Sequence, residues 1–267
     1  MDTSAKGKAE QIRAILLMPI ECTTQKSKNI FVYQNRIFSS QLYVGDYDPD
    51  MSDFAVGFYE ILYKNILVDN SNSEIKILDS RGHLTDDDFA GDTMNSFNII
   101  ANRIPGAGKS KKKRTSSEEW PEYLREYKEH YHCLANFWLL PKDLGRTGNP
   151  LSKLKKAYDY MDRFLKICKK FYDMDTPKEY KAYESYFSKF SDCKSDYFDV
   201  FTKVHLIGGY VNENSDIMPY SDSRKYTGKT VVDSMMRQIK KRAKDISESQ
   251  IAEELWNYFI DLKIVKV

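Results

Sequence analysis

Residues 231–246 read VVDSMMRQIKKRAKDI, and residues 247–262 continue as SESQIAEELWNYFIDL. Val231, Met235, Ile239, Ala243 and Ile246 recur every three or four residues, the period of one helix face. Arg237, Lys240, Lys241, Arg242 and Lys244 surround that stripe, as the solvated side of an amphipathic helix would. Ser247 and Gln250 have the spacing of a capping box, in which the two side chains satisfy the free N–H groups of a helix start. Leu255, Phe259 and Leu262 then share a face. The stretch therefore predicts two successive helices and sets the class as mainly α.

Working outward, the same spacing joins Leu151, Leu154, Tyr158, Met161, Leu165, Cys168 and Tyr172 into a helix over 151–172. Tyr180, Tyr183, Phe187 and Phe190 predict a helix over 178–190. A helix over 197–207 is expected to stop at Gly208 and Gly209, and 212–224 is polar and turn-rich. Ser116 and Glu119 form another capping box, opening a helix over 118–132 with Pro121 in its first turn. The N-terminal third is more mixed. The first seven residues read as loose, and an apolar segment at 12–18 is stopped by Pro19. Two strands are expected within 30–44, then a turn at Gly45, Asp46, Asp48 and Pro49. A helix over 54–68, a short strand at 75–78 and a helix over 86–104 follow.

The expected class is α+β, mainly α, in one domain. It divides into a strand-containing part at 1–104, a basic loop at 105–119 and a helical part at 120–267. The core is expected from the helices at 54–68, 151–172, 231–246 and 248–262.

Composition bounds the function classes. The chain has 267 residues, 41 basic and 39 acidic side chains and a formal charge of +2, so no global field steers polyanions to it. An aromatic share of 13% excludes a largely disordered chain. No apolar run approaches the roughly 18 residues of a membrane span. Cys22, Cys133, Cys168 and Cys193 are scattered, which reads as reduced thiols in a cytoplasmic protein. The first ten residues lack the order of a secretory signal.

Five motifs carry possible chemistry. Gly106-Ala107-Gly108-Lys109-Ser110 matches the end of a phosphate-binding loop, but Arg103 stands where that motif needs glycine. A basic run follows instead of an apolar helix, so no nucleotide cofactor is expected. Arg125 and His130 have the R-x-x-x-x-H spacing and resemble the catalytic pair of HEPN-class RNases, with Glu126 where those show Asn, Asp or His. His132 and Asn136 sit in an apolar run. They read either as a general base with its orienter or as a buried amide tying down a loop. Asp86, Asp87, Asp88 and Asp92 offset a helix dipole or offer oxygens to a hard cation, but lack the spacing of a calcium loop, so no metal is expected. Lys111, Lys112, Lys113 and Arg114 in the loop, with Lys240, Lys241 and Arg242, could line a phosphate-binding surface. Lys153 to Lys170 adds a further basic helix face.

Residues 132–141, HCLANFWLLP, resemble the H-x-[IL]-[GA]-N-F-x-x-x-P run of an uncharacterised bacterial family of domains of unknown function. Residues 159–165, 169–172 and 199–206 are similar to that family's later helices, giving coverage of about half the chain. The resemblance implies a bacterial or phage-borne source and a shared fold, and no reaction. The same run is similar to the Gly-Asn-Leu stretch of His-Asn-His nucleases. The Asp-His pair that should precede it is not evident, so no role is carried over.

Two function classes follow. One is a protein that binds or acts on nucleic acid in a defence or toxin setting, with a HEPN-like RNase using Arg125 and His130 as a variant. The other is a non-enzymatic protein-interaction module or inhibitor. The partner is accordingly nucleic acid or protein, with no membrane, and the sequence does not set an oligomeric state.

Overall fold

The computed structural model describes residues 4–23, 28–33, 36–39, 49–64, 89–97, 120–141, 160–172, 197–214, 216–221 and 228–265. Among them the chain is mainly helical, with seven α-helices and two small sheets, so the α+β, mainly α class holds. The helices are α1 (Ala5–Leu16), α2 (Asp53–Leu62), α3 (Glu122–His130), α4 (Met161–Tyr172), α5 (Tyr197–Val204), α6 (Gly228–Ser247) and α7 (Ala252–Asp261). Strands β1 (Ile20–Thr23), β2 (Lys28–Tyr33) and β3 (Arg36–Ser39) form an antiparallel sheet in that order, with Ile20 opposite Phe31 and Ile30 opposite Ser39. Strand β4 (Phe89–Thr93) pairs with β5 (Phe137–Pro141).

The chain forms two compact units, each drawn from separated segments. The first takes Met1–Asp92, His132–Lys142 and Lys240–Val267. The second takes Thr93–Tyr131 and Asp143–Ile239. Each unit joins segments far apart in the chain, so non-local contacts define it.

In the first unit α1, α2 and α7 pack together. Ile12, Ile15 and Leu16 of α1 are buried, as are Phe54, Phe58, Tyr59 and Leu62 of α2 and Leu255, Trp256 and Phe259 of α7. Phe54 stacks on Tyr258 with ring centroids 6.1 Å apart and meets Phe259 at 6.2 Å. Gly57 makes the α2–α7 contact possible, because a Cβ there would strike the Tyr258 ring. The Tyr258 hydroxyl can thus donate to the Phe54 carbonyl at 3.1 Å.

Helix α1 starts earlier than expected. Ser4 is its N-cap, its Oγ accepting from the Gly7 N–H at 3.1 Å, so residues 5–7 are helical and not loose. Ser52 caps α2 in the same way, accepting from Ala55 N–H at 3.2 Å and donating to the Pro49 carbonyl at 2.7 Å.

A close backbone approach lies beneath Tyr59. Its hydroxyl donates to the Asp50 carbonyl at 2.8 Å, and a Cβ on Gly91 would meet both that carbonyl and the hydroxyl. Gly91→Ala is expected to cost about 1–3 kcal/mol, the usual price of overpacking, because backbone cannot step aside. Urea unfolding checks this, and a variant as stable as the parent would contradict the packing described.

In the second unit Leu124 and Tyr127 of α3 are buried, as are Met161, Phe164, Leu165 and Cys168 of α4 and Phe201 of α5. Val232, Met235 and Ile239 of α6 are buried too. Phe97 packs against Trp120 and Tyr131 at 5.5 and 5.7 Å.

Several element boundaries differ from expectation. Residues 89–93 are a strand, not part of a helix over 86–104. Gly91 and Thr93 are weak helix formers, and pairing with β5 outweighs the local pattern. Helix α3 begins at Glu122 with Pro121 as an extended N-cap, making no side-chain cap bond. Helix α4 begins at Met161, Tyr160 being a bend. Helix α5 ends at Val204, where Leu206 takes a left-handed φ of 52°, and Gly208–Tyr210 forms a 3-10 turn. The Ser247–Gln250 box does not form. Ser247 and Ser249 donate to the Lys244 and Ile246 carbonyls at 2.8 and 2.7 Å, finishing α6, and α7 starts without a side-chain cap.

The strand expected at 75–78, the helix at 178–190, the basic loop at 105–119 and the N-terminal half of the helix at 151–172 lie outside the described residues. So do Asp86, Asp87, Asp88 and the turn residues 45–48.

Candidate functional site

The His132–Pro141 run enters the first unit as a 3-10 turn, Leu134–Asn136, leading into β5. The His132 carbonyl accepts from Ile20 N–H at 2.8 Å, tying the run to β1. Its ring stands edge-on to Phe137 with centroids 6.1 Å apart. Though it keeps some exposure, burial among these groups pushes the imidazole down to about 4. A general base for neutral pH needs a value nearer 7, so His132 is poorly matched to that role. Asn136 is fully buried, and its backbone N–H closes the turn on the Cys133 carbonyl at 2.9 Å. Burial raises the Cys133 thiol to about 12, outweighing the N–H groups of Asn136 and Ala135 that pull the other way. It is no nucleophile at neutral pH.

The low His132 value makes a signed prediction. Between pH 6.5 and about 4 the unfolded imidazole binds a proton that the folded one refuses. This contribution is complete above pH 6.5 and is lost as pH falls towards 4, amounting to about 3 kcal/mol in all. His132→Gln should lose less stability than the parent between pH 7 and 4.5 in urea titrations. Equal losses would place the acid sensitivity elsewhere.

Arg242 corrects the expected basic surface. It is 1% exposed, and its Nη1 donates to the carbonyls of Ala135 and Phe137 at 3.0 and 2.7 Å. The guanidinium therefore serves the two residues flanking Asn136 and cannot meet a phosphate in solvent. The physical reason is position: Arg242 lies three residues after Ile239 and four before Ile246, on the apolar stripe itself. Lys240 is exposed, and Lys241 is held by Asp245 one turn on, with a contact of 2.6 Å. Lys111, Lys112, Lys113 and Arg114 lie outside the described residues.

Arg125 and His130 belong to the second unit, on α3. Arg125 is exposed, and the His130 Nδ1 lies 2.8 Å from the Glu126 carbonyl of its own helix. Five residues apart on one helix, the two point in different directions.

The second unit also holds a polar cluster that the sequence did not disclose. Buried Asn95 accepts at Oδ1 from the Tyr220 hydroxyl and from Met161 N–H at 3.3 Å, and donates from Nδ2 to the Tyr210 hydroxyl at 2.8 Å. The Tyr127 hydroxyl donates to its carbonyl at 2.8 Å. Beside it the Asp162 carboxylate accepts from the backbone N–H groups of Tyr220 and Ser221, both at 2.8 Å, and from the Ser221 hydroxyl at 2.7 Å. Arg163 in turn donates to Ser221 Oγ and its carbonyl, each at 3.0 Å. Burial drives the Tyr220 hydroxyl well above its ordinary value, so it stays protonated and donates. The one available signal was Asp162 three residues before Leu165, an acid on an apolar face.

An open groove of about 790 Å³ runs along the first unit between α1 and the turn joining α6 to α7. Lys6, Lys8, Glu10 and Arg13 contribute from α1; Lys244, Glu248 and Glu253 contribute from the other side. Two ion pairs cross between these elements, Lys8 to Glu253 at 3.0 Å and Arg13 to Glu248 at 2.9 Å. No motif in the sequence marks the charged α1 residues of this groove.

Comparison with protein-family models, with curated proteins and with solved structures finds no match.

Proposed function

We propose that this chain is a non-enzymatic protein-interaction module. One observation carries the reading: the groove of the first unit is equipped to bind and not to react. Its lining contains no histidine or cysteine. Ser247 and Ser249 donate to carbonyls at the C-terminal end of α6, and Glu248 and Glu253 are engaged by Arg13 and Lys8. Among the described residues, His132, Asn136 and Cys133 stand in the packed run at 132–137. A groove carrying both signs of charge suits a polypeptide surface, where complementarity sets specificity. It is a poor match for a nucleic-acid backbone, which presents charge of one sign throughout.

The buried free thiols Cys133 and Cys168 support a reducing, cytoplasmic setting, and no described helix is long and apolar enough to cross a membrane. The likeness of residues 132–141 to the bacterial family supports a bacterial or phage-borne source.

Gel-shift series with RNA and DNA, starting at about 50 mM salt where phosphate contacts are strong, test the reading. The expected result is no shift and no cleavage. A salt-dependent shift weakened by Lys240→Ser with Lys241→Ser, or RNA cleavage lost in Arg125→Ala, would replace this reading with the nucleic-acid one.

A further inference from the structure

The charges of the groove can be divided into those already engaged and those left over. Lys8 engages Glu253, and Arg13 engages Glu248. Lys8 is also held over the Trp256 ring, 5.7 Å from its centroid. Lys6 and Lys244 are exposed and make no ion pair among the described residues, and Glu10 is the one acid of the lining left in the same condition. The uncommitted charge is therefore positive and comes from both sides of the groove. Ala5, Ala9 and Ala252 add side chains no larger than a methyl, which lets a ligand backbone come close. Ser249 has used its proton but keeps acceptor lone pairs, and the exposed Gln250 amide offers both donors and an acceptor. These suit the N–H and C=O groups of a peptide. The volume lies within the range of ligand-binding clefts.

We propose that this groove is a docking site for an acidic polypeptide segment, whose carboxylates meet Lys6 and Lys244 while its backbone bonds to Ser249 and Gln250. The inference rests on the interaction-module reading and adds the partner's chemistry. Glu10, Glu248 and Glu253 favour a peptide over a phosphate chain, since a peptide can place its acids beside the two lysines and neutral residues beside the glutamates.

The test is fluorescence polarisation of the full chain with a labelled hexapeptide in which glutamate alternates with serine, at about 50 mM salt, where screening is modest. Lys6→Glu with Lys244→Glu should weaken binding about tenfold or more, both side chains being exposed and the melting temperature unchanged. Lys203→Glu, an exposed lysine of α5 outside the groove lining, makes the same kind of charge change and should alter affinity less than about twofold. The proposal is overturned if the glutamate–serine peptide does not bind, if Lys203→Glu weakens it equally, or if the same peptide with lysine in place of glutamate binds as well. Displacement by single-stranded RNA of equal charge at lower concentration would also overturn it, making a phosphate backbone the occupant. If the glutamate–serine peptide fails while a nuclease-resistant protein partner is still captured from native cells, this inference falls and the interaction reading stands.

Discussion

Arg242→Ala is expected to lose about 3–5 kcal/mol of stability, from two buried charged hydrogen bonds and the space the side chain fills. The Ala135 and Phe137 carbonyls would each lose their guanidinium donor inside the core. The long side chain also fills space, so truncation leaves a cavity on top of the unpaired groups. The Tyr63 hydroxyl, raised to about 12 by burial and stabilised in part by Arg242, would lose that neighbour as well. Arg242→Met keeps most of the volume and none of the hydrogen bonds, so it should fall between parent and Ala. Chemical denaturation of the three proteins separates the packing share from the polar share. An alanine variant within about 1 kcal/mol of the parent, the effect of an ordinary surface change, would show that the guanidinium does not anchor this run.

Asn95→Ala should be the comparable loss in the second unit, about 3 kcal/mol for three side-chain hydrogen bonds removed from a buried site. Met161 N–H and the hydroxyls of Tyr210 and Tyr220 would each be left to find a partner without water. Because Tyr220 donates to the same oxygen as Met161, Asn95→Ala and Tyr220→Phe should not add. The double variant is expected to be more stable than the sum of the single losses predicts, by about 1 kcal/mol or more. Strict additivity would mean that the two side chains act independently. Asp162→Ala offers a neighbouring comparison, since it removes the acceptor of two backbone N–H groups.

The helical elements were legible where periodicity was strong. The stripe from Val231 to Ile246 became most of α6, and Met161, Leu165 and Cys168 became the buried face of α4. Boundaries were less so, because caps depend on rotamers. Ser247 could reach forward to a helix start or back to Lys244, and it reaches back. Residues 89–93 illustrate a stronger limit. Their strand exists because β5, far along the chain, supplies the pairing, and no local pattern states that.

The site was legible only in part. His132 and Asn136 were recognised as polar groups in a buried run, but the Arg242 guanidinium that closes on that run comes from a residue read as surface. The clue was its place between Ile239 and Ile246, which charge counting overrode. The groove could not be read from sequence, because Lys6 and Lys244 lie more than two hundred positions apart and α1 was expected to begin later than it does.

Affinity capture from native cells, with and without nuclease, tests the interaction reading most directly. The full chain is expected to retain a protein partner after nuclease treatment, and Lys6→Glu with Lys244→Glu is expected to release that partner while Lys203→Glu keeps it. Capture that disappears on nuclease treatment would contradict the reading and make nucleic acid the partner.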